Sequence, residues 1–406
     1  MSKLENSDHR RIGQELDLFV FSDLVGSGLP MWTPRGTVIR QELDNFVWEL
    51  RSKYDYSRVT IPHITKKDLY EISGHWDKFG DDLFKIISRD GKDYALKPMN
   101  CPHHTQIFDR RPHSYREMPQ RYAETTMVYR DEQSGELGGL TRVLSITQDD
   151  SHVFCRTNQI KDEFLKIWDI VDKFYSTFGF TLRVRLSFRN PDTPEKYLGT
   201  IEVWNHAENA LREIARERNA DYFEGQGEAA LYGPKLDFIA KSATDREWQV
   251  ATIQLDMNLP ERFNLTCVNE KGVKERIVMI HSAITGSIER CAAVLLEHYN
   301  GSLPLWLSPV QVKVLSIGEA HFEYAKEIFE KLKVENIRVE LNDSNESLGK
   351  KVRNAKTEKV PYILVIGDKE VSEDKLTLES RDSGNLGQLD VKELISKLKI
   401  EIKERK

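Results

Sequence analysis

TLRVRLSF, residues 181–188, sets Leu182, Val184, Leu186 and Phe188 on one face and Arg183 and Arg185 on the other. Such alternation is the period of an antiparallel strand with one face in a core. EWQVATIQLDM (247–257) reads as a second extended segment, and SRVTIPHI as a short strand stopped near Pro62. Other segments have helical spacing. GTVIRQELDNFVWELRSK (36–53) repeats Ile39, Leu43, Phe46, Val47 and Leu50, and NQIKDEFLKIWDIVDKFYSTFG and IEVWNHAENALREIARERN carry similar stripes. Strands and helices mix without regular alternation, which predicts an α+β domain: an antiparallel sheet flanked by helices.

The texture changes near LPLWLSPVQ (303–311). Strand QVKVLSI, helix HFEYAKEIFEKLK, strand IRVEL, a helix near SLGKKVRNAK and strand PYILVIG follow one another. That βαβαβ series predicts an α/β domain with a mostly parallel sheet over residues 303–406, leaving 1–302 as the first domain. The lysine-rich tail LISKLKIEIKERK reads as the solvated face of a last helix.

At 406 residues the length itself favours two or three domains. Four scattered cysteines, without paired spacing, are the usage of a reducing compartment. The start, MSKLENSDHRR, lacks an apolar leader core, and no apolar run approaches the roughly 20 residues of a membrane helix. The expectation is a cytoplasmic protein with no membrane partner. A net charge of −6 argues against binding nucleic acid by bulk charge, so any RNA contact must be local and specific.

VYRDEQSGELGGLTRVLSITQDDSHVFC (128–155) concentrates Arg130, Asp131, Glu132, Arg142, Gln148, Asp149, Asp150 and His152 among glycines. Composition alone makes it a polar hairpin. Its paired arginines add a chemical signal, because a guanidinium fork matches phosphate or carboxylate bidentately. No GxxxxGK[ST] is present, so a nucleotide would be gripped by arginines rather than by a glycine cradle. In KPMNCPHHTQIF (97–108), Cys101 is open to three readings: metal ligand, nucleophile or packing. Spacing does not choose among them.

HRRIGQELDLF, GHWDKF, KPMNCPHH, YRDEQSG, TQDDSHVFC, ALYGPKLDF, REWQVATIQLDMNLP, HSAITGSIER and LSPVQV, in this order, closely resemble the catalytic and anticodon-binding domains of the threonyl-tRNA synthetases, a class II aminoacyl-tRNA synthetase family. The resemblance covers nearly the whole chain. It implies ATP-dependent activation of L-threonine and its transfer to tRNA(Thr) by a homodimer whose interface is built by the helix and strand ending at Pro62. In YRDE, Arg130 would bridge the α-phosphate of ATP and the amino-acid carboxylate, Glu132 would hold adenine, and Arg142 would reach the γ-phosphate. In GSIER, Arg290 would open a helix beneath the nucleotide. These roles suit adenylyl transfer, which needs charge stabilisation and alignment more than covalent help. Mg²⁺ would accompany ATP.

The resemblance also implies one Zn²⁺ per chain in the amino-acid pocket, with ligands at Cys101, His152 and His281. Three protein ligands leave a position open, as in catalytic zinc sites. Threonine would ligate the ion through its amino and hydroxyl groups. His103 stands where the family has glycine, and is read as a lining residue rather than a ligand. Asp150 would accept the threonine hydroxyl, and Met99, Gln148, Tyr232 and Gln254 would line the pocket. Gln249, assigned to ATP, and Gln254 should face opposite sides of a regular strand, so either a bulge lies between them or one acts from the strand end. Lys235 matches a lysine near the adenylate, or is an exposed lysine beside a turn. His75 matches a histidine proposed to assist transfer to tRNA.

In the second domain, Asn345, Lys359 and Glu370 match positions that touch anticodon bases in relatives. Glu379 stands where a relative has arginine, and solvated polar residues are an equal reading for this group. Full-length bacterial relatives carry two further domains before the HRRIG segment, one of them hydrolysing seryl-tRNA. The expectation is therefore a naturally short synthetase, served by a separate trans-editing protein, or an excised core. Two other readings stay open: a class II synthetase for another amino acid such as serine, and a synthetase-derived RNA-binding or regulatory protein without catalysis. Retention of Arg130, Arg142 and Arg290 speaks against the last.

Overall fold

The structure is a computed structural model that describes residues 8–241 and 246–406. Two compact units form: one of residues 21–30 and 44–291, the other of residues up to Val20, Met31–Leu43 and Ala292–Lys406.

The first unit is built on an eight-stranded sheet. In chain order its strands are β1 (Ser57–Arg58), β2 (Gln120–Tyr129), β3 (Ser145–Cys155), β4 (Leu182–Phe188), β5 (Tyr222–Gln226), β6 (Lys235–Lys241), β7 (Glu247–Asp256) and β8 (Val278–Ala283). They lie in the order β5-β4-β6-β7-β8-β3-β2-β1. Every pairing is antiparallel except β5 on β4 and β1 on β2. The expected antiparallel sheet with flanking helices is therefore present, with parallel additions at both edges. Of SRVTIPHI, only Ser57–Arg58 joins this sheet.

One face of the sheet is covered by the helix Ile160–Thr177, whose stripe Phe164, Ile167, Trp168, Val171 and Phe174 is buried. Trp168 meets Phe238 of β6 edge-on, with ring centroids 5.2 Å apart, and Phe174 stacks on Phe46. Each aromatic or aliphatic side chain so removed from water contributes about 1.5–3 kcal/mol. The other face carries the polar side chains.

Strand β7 has one irregularity. Phe238 pairs with Ala251 but Ile239 pairs with Gln249, so Val250 is an extra, unmatched residue. Of the two geometries open to Gln249 and Gln254, the chain adopts the bulge, and it returns Gln249 to the polar face with Thr252 and Gln254. The buried Tyr175 hydroxyl donates to the carbonyls of Val250 (3.1 Å) and Ile284 (2.8 Å), which ties the bulge to the helix behind the sheet.

In the second unit, β9 (Val312–Ser316), β10 (Val339–Asn342) and β11 (Tyr362–Ile366) are parallel, in the order β10-β9-β11. Two further strands, β12 (Leu376–Ser380) and β13 (Gly384–Leu389), extend the sheet antiparallel. The helices Phe322–Val334, Leu348–Thr357 and Val391–Glu404 fall where their stripes predict. Val312, Val314, Ile328, Leu332, Leu364, Leu378, Leu394 and Leu398 form the core. No helix among the described residues is long and apolar enough to cross a membrane.

Candidate active site

Strand register assembles the site. On the polar face of the large sheet, one line of paired residues runs Ser187, Lys235, Gln254, His281, His152, Tyr122 across six strands. Two residues along, a second line runs Arg185, Asp237, Thr252, Ala283, Asp150, Glu124. Residues two apart on a strand share a face, so Gln148, Asp150 and His152 point to one side, as do Lys235 and Asp237.

Cys101 reaches the first line from outside the sheet, at the start of the helix Cys101–Asp109. One donor atom each from Cys101, His152 and His281 lie within 4.8 Å of one another, and all three residues are buried. Burial raises the Cys101 thiol well above its ordinary pKa, aided by Asp150 and Asp256, and holds His152 well below the histidine range. Each imidazole has a partner on one nitrogen. His152 Nδ1 lies 2.8 Å from His104 Nδ1, and His281 Nε2 lies 2.8 Å from Asp256 Oδ2. His281 Nδ1 is buried without a hydrogen-bond partner. An unsatisfied buried nitrogen, a neutral imidazole and a thiol converging on one point are the donor set of a transition-metal site. Tyr232 stacks on His281 at 4.5 Å and donates to Gln254 Oε1 at 2.5 Å. Asn100 Nδ2 donates to Asp150 Oδ2 at 3.0 Å, and Met99 is half-buried against the same apolar cluster as Cys101 and Tyr232.

His75 is fully buried, its Nδ1 2.8 Å from Ser73 Oγ and its Nε2 3.7 Å from Cys101 Sγ. Burial pushes its pKa down to about 3, with His281 and Arg130 adding to the effect. His103 is also buried, edge-on to Tyr70, with both ring nitrogens unpaired. Burial beside Lys97 lowers it to about 4.

The arginines gather next to this pocket. Arg130 lies with its guanidinium 5.6 Å from the Phe79 ring centroid, and Arg290 donates to the Thr141 carbonyl at 3.1 Å. Both have pKa values lowered by burial; for Arg290 the charges of Arg130 and Arg142 add to the shift. The charges of Arg130 and Arg142 thus fall on Arg290, and a triphosphate suits three such forks. Glu132 holds Arg142 through Nε (2.8 Å) and Nη2 (2.5 Å), and Glu136 lies 2.9 Å from the same guanidinium. Glu289, beside Arg290, accepts from the Thr147 amide (2.9 Å) and hydroxyl (2.7 Å), which ties the segment 288–291 to β3.

Lys235 and Gln249 meet on one carboxylate. The fully buried Asp237 lies 3.1 Å from Lys235 Nζ and accepts from Gln249 Nε2 (2.9 Å), Arg185 Nη2 (3.0 Å) and Ser187 Oγ (2.7 Å). Lys235 is thus neither a free surface lysine nor on a turn; it opens β6 and faces the site.

The fifteen predicted residues of the core, Met99, Cys101, Arg130, Glu132, Arg142, Gln148, Asp150, His152, Tyr232, Lys235, Gln249, Gln254, His281, Arg290 and His75, all lie in the same unit. Sequence reading missed Asn100, His104, Asp237 and Asp256. The signal for His104 was its place three residues after Cys101, on the same helix face. Asp256, two residues after Gln254, shared that strand's parity.

The anticodon candidates are dispersed. Asn345 lines a cleft of about 470 Å³ with Ser316, Ile317, Phe322 and Lys351. Glu370 accepts from the Gly367 amide and the Thr377 hydroxyl, and Lys359 lies before β11, at the opposite end from Glu370, bonded to the Asn300 carbonyl. Glu379 pairs with Lys356 at 2.7 Å, while Arg381 donates to the carbonyls of Leu303 and Lys359.

Residues 84–299 match the tRNA synthetase class II core domain (G, H, P, S and T), and 311–401 match the anticodon binding domain. A threonine–tRNA ligase of Synechococcus elongatus is 45% identical over 98% of this chain and 67% of its own length. One of Cytophaga hutchinsonii is 45% identical over 99% of this chain and 63% of its own. The chain thus spans about two thirds of these curated relatives. A solved structure described as the RNA binding domain of threonyl-tRNA synthetase from Cryptosporidium parvum superposes with a TM-score of 0.93 at 38% identity, covering 97% of this chain and 98% of that one. With this fold, these matches and an arginine field beside a Cys-His-His cluster, the chain belongs to the threonyl-tRNA synthetases, ATP-dependent threonine–tRNA ligases of class II with a catalytic core and an anticodon-binding domain.

Proposed function

We propose that this chain, working in the cytoplasm as a homodimer, activates L-threonine with ATP and transfers it to tRNA(Thr), selecting the amino acid at a zinc site formed by Cys101, His152 and His281. The observation that carries this reading is the convergence of those three donors, from a helix and two adjacent strands, beside Asp150 and the arginine field. Zinc held by these three residues would leave coordination open for the threonine amino and hydroxyl groups. Asp150, held by Asn100, accepts the side-chain hydroxyl, and Met99, Gln148, Tyr232 and Gln254 wall the pocket.

In the first step a carboxylate oxygen of threonine attacks the α-phosphorus of ATP. A new O–P bond forms, the bridge to the β-phosphate breaks, and pyrophosphate leaves; Mg²⁺ would accompany the triphosphate. Arg130 bridges the carboxylate and the α-phosphate, neutralising charge that grows at the phosphorus. Arg142 and Arg290 hold the rest of the triphosphate, and Glu132 exchanges its bond to Arg142 for the adenine amino group. Gln249 and Lys235, both fixed by Asp237, line the adenylate side. In the second step the terminal ribose hydroxyl of tRNA attacks the carbonyl carbon, the bond from that carbon to the phosphate oxygen breaks, AMP leaves, and the hydroxyl proton passes to the departing phosphate or to solvent. His75, deeply buried and neutral, supports the Cys101 side of the pocket during transfer. Residues 303–406 read the anticodon, with Asn345 on its cleft the candidate that the surface supports, and residues 1–302 form the catalytic part.

ATP–pyrophosphate exchange with a panel of amino acids, run alongside a zinc measurement, tests the proposal. Threonine-dependent exchange with one zinc per chain is expected, and Cys101→Ser should lose most of the metal, since thiolate and imidazole supply nearly all the binding energy. Equal, stoichiometric zinc in both proteins would remove the assignment.

A further inference from the structure

We infer that His104, backed by Glu124, is a positioning residue that fixes the tautomer of His152 and turns its Nε2 toward the metal; the inference rests on the zinc reading above.

The helix starting at Cys101 places His104 three residues on, so both side chains project from one face toward β3. His104 Nδ1 lies 2.8 Å from His152 Nδ1, with the rings edge-on and their centroids 4.7 Å apart. Two nitrogens at that distance share one proton: one ring donates and the other accepts. If His104 donates, neutral His152 carries its proton on Nε2 and has no lone pair for a metal. If His152 donates, its Nε2 is free, and His104 must hold its own proton on Nε2.

Two carboxylates bear on the choice: Asp150 Oδ1 lies 3.8 Å from His152 Nε2 but its carboxylate already accepts from Asn100, whereas the Glu124 oxygen facing His104 has no other partner, which favours the second arrangement. His104 Nε2 and Glu124 Oε2 are both buried, neither has a hydrogen-bond partner, and they face each other at 4.0 Å. A carboxylate in that position favours a protonated Nε2 on His104 and disfavours a bare lone pair there. Glu124 is itself anchored: its Oε1 accepts from the Ile61 amide at 3.3 Å, and its strand position lies directly across from Asp150. The line Glu124, His104, His152 thus orients the second metal ligand, as Asp256 orients His281 through Nε2. The two ligand histidines are held differently, one by a carboxylate and the other by an imidazole.

Zinc affinity of the full chain, read by competition with a chromophoric chelator, tests this in wild type, Cys101→Ser, His104→Leu, His104→Asn and Glu124→Gln. His104→Leu should weaken zinc by about 10- to 100-fold, the range for loss of such outer partners. His104→Asn, whose Oδ1 can stand where Nδ1 accepts, should recover most of that loss. Glu124→Gln should weaken zinc less than His104→Leu does. Wild-type affinity in His104→Leu, or equal losses in His104→Leu and His104→Asn, would overturn the inference while leaving the zinc reading intact. A wild type that holds no zinc would remove both. If His104→Leu does not fold, histidine ¹⁵N spectra of the zinc-loaded wild type decide: His152 protonated on Nδ1 is the expected result, and a proton on its Nε2 the contrary one.

Discussion

At Arg130 the dominant effect is electrostatic. A guanidinium desolvated enough to have its pKa lowered, beside two others, is costly without an anion and effective with one. Arg130→Ala should therefore reduce threonine-dependent exchange by on the order of 10²-fold or more while leaving the thermal midpoint nearly unchanged. Activity within a few-fold of wild type would show that the arginine is structural. Specificity also belongs to this scale. A pocket that holds a hydroxyl on Asp150 and on zinc should reject valine by about 10⁴-fold or more, because the isostere leaves buried polar groups unpaired. Serine lacks only a methyl, so about 10- to 200-fold discrimination is expected. Exchange kinetics with the three amino acids check both figures, and comparable use of valine and serine would contradict the hydroxyl account. Motif residues of this kind were legible in the sequence because the family resemblance marks them one by one. His104 and Asp256 were not, since each acts only through a neighbour that the fold supplies.

Among the elements, the bulge in β7 decides the geometry of the nucleotide side. Without Val250 as an extra residue, Gln249 would point into the core and could not reach Asp237. The loop ahead of the helix Ile288–His298 presses on this bulge. Gly286 has φ +69°, and a Cβ there would lie 3.1 Å from the Val250 carbonyl. Gly286→Ala is thus strained by about 1–2 kcal/mol in backbone alone. The change should lower the melting temperature and raise KM for ATP more than KM for threonine. Equal KM changes for both substrates would mean that the strain does not travel through the bulge. Periodicity showed that 247–257 is extended, and it conflicted with the site positions that the resemblance gave to both glutamines. The extra residue itself was not readable, because a bulge is set by the pairing of two strands and by the Tyr175 hydroxyl that holds the Val250 carbonyl.

For the whole molecule, the composition of the second unit matters. It includes residues up to Val20 and Met31–Leu43 as well as the C-terminal part. Arg35 joins Glu340 (2.8 Å) and Glu358 (2.9 Å), and Glu42 joins Arg338 (2.7 Å). A fragment ending at Ser302 strips these N-terminal segments of their partners. It should melt below the full chain by several degrees, at about 2–4 °C for each kcal/mol lost in a domain of this size; a fragment as stable as the full chain would show that the segments need no such support. The sequence by itself determined the sheet-and-helix character of the first part, the βαβαβ order of the second and the family, because period and motif are local properties of the chain. Register was decided only by the tertiary structure. Alternation tells which residues of a strand share a face but not which rung faces which, and the hydrogen-bond ladder alone sets Gln254, His281 and His152 side by side on three strands. Cys101, from a helix outside that ladder, becomes their neighbour only when helix and sheet close over a common buried space.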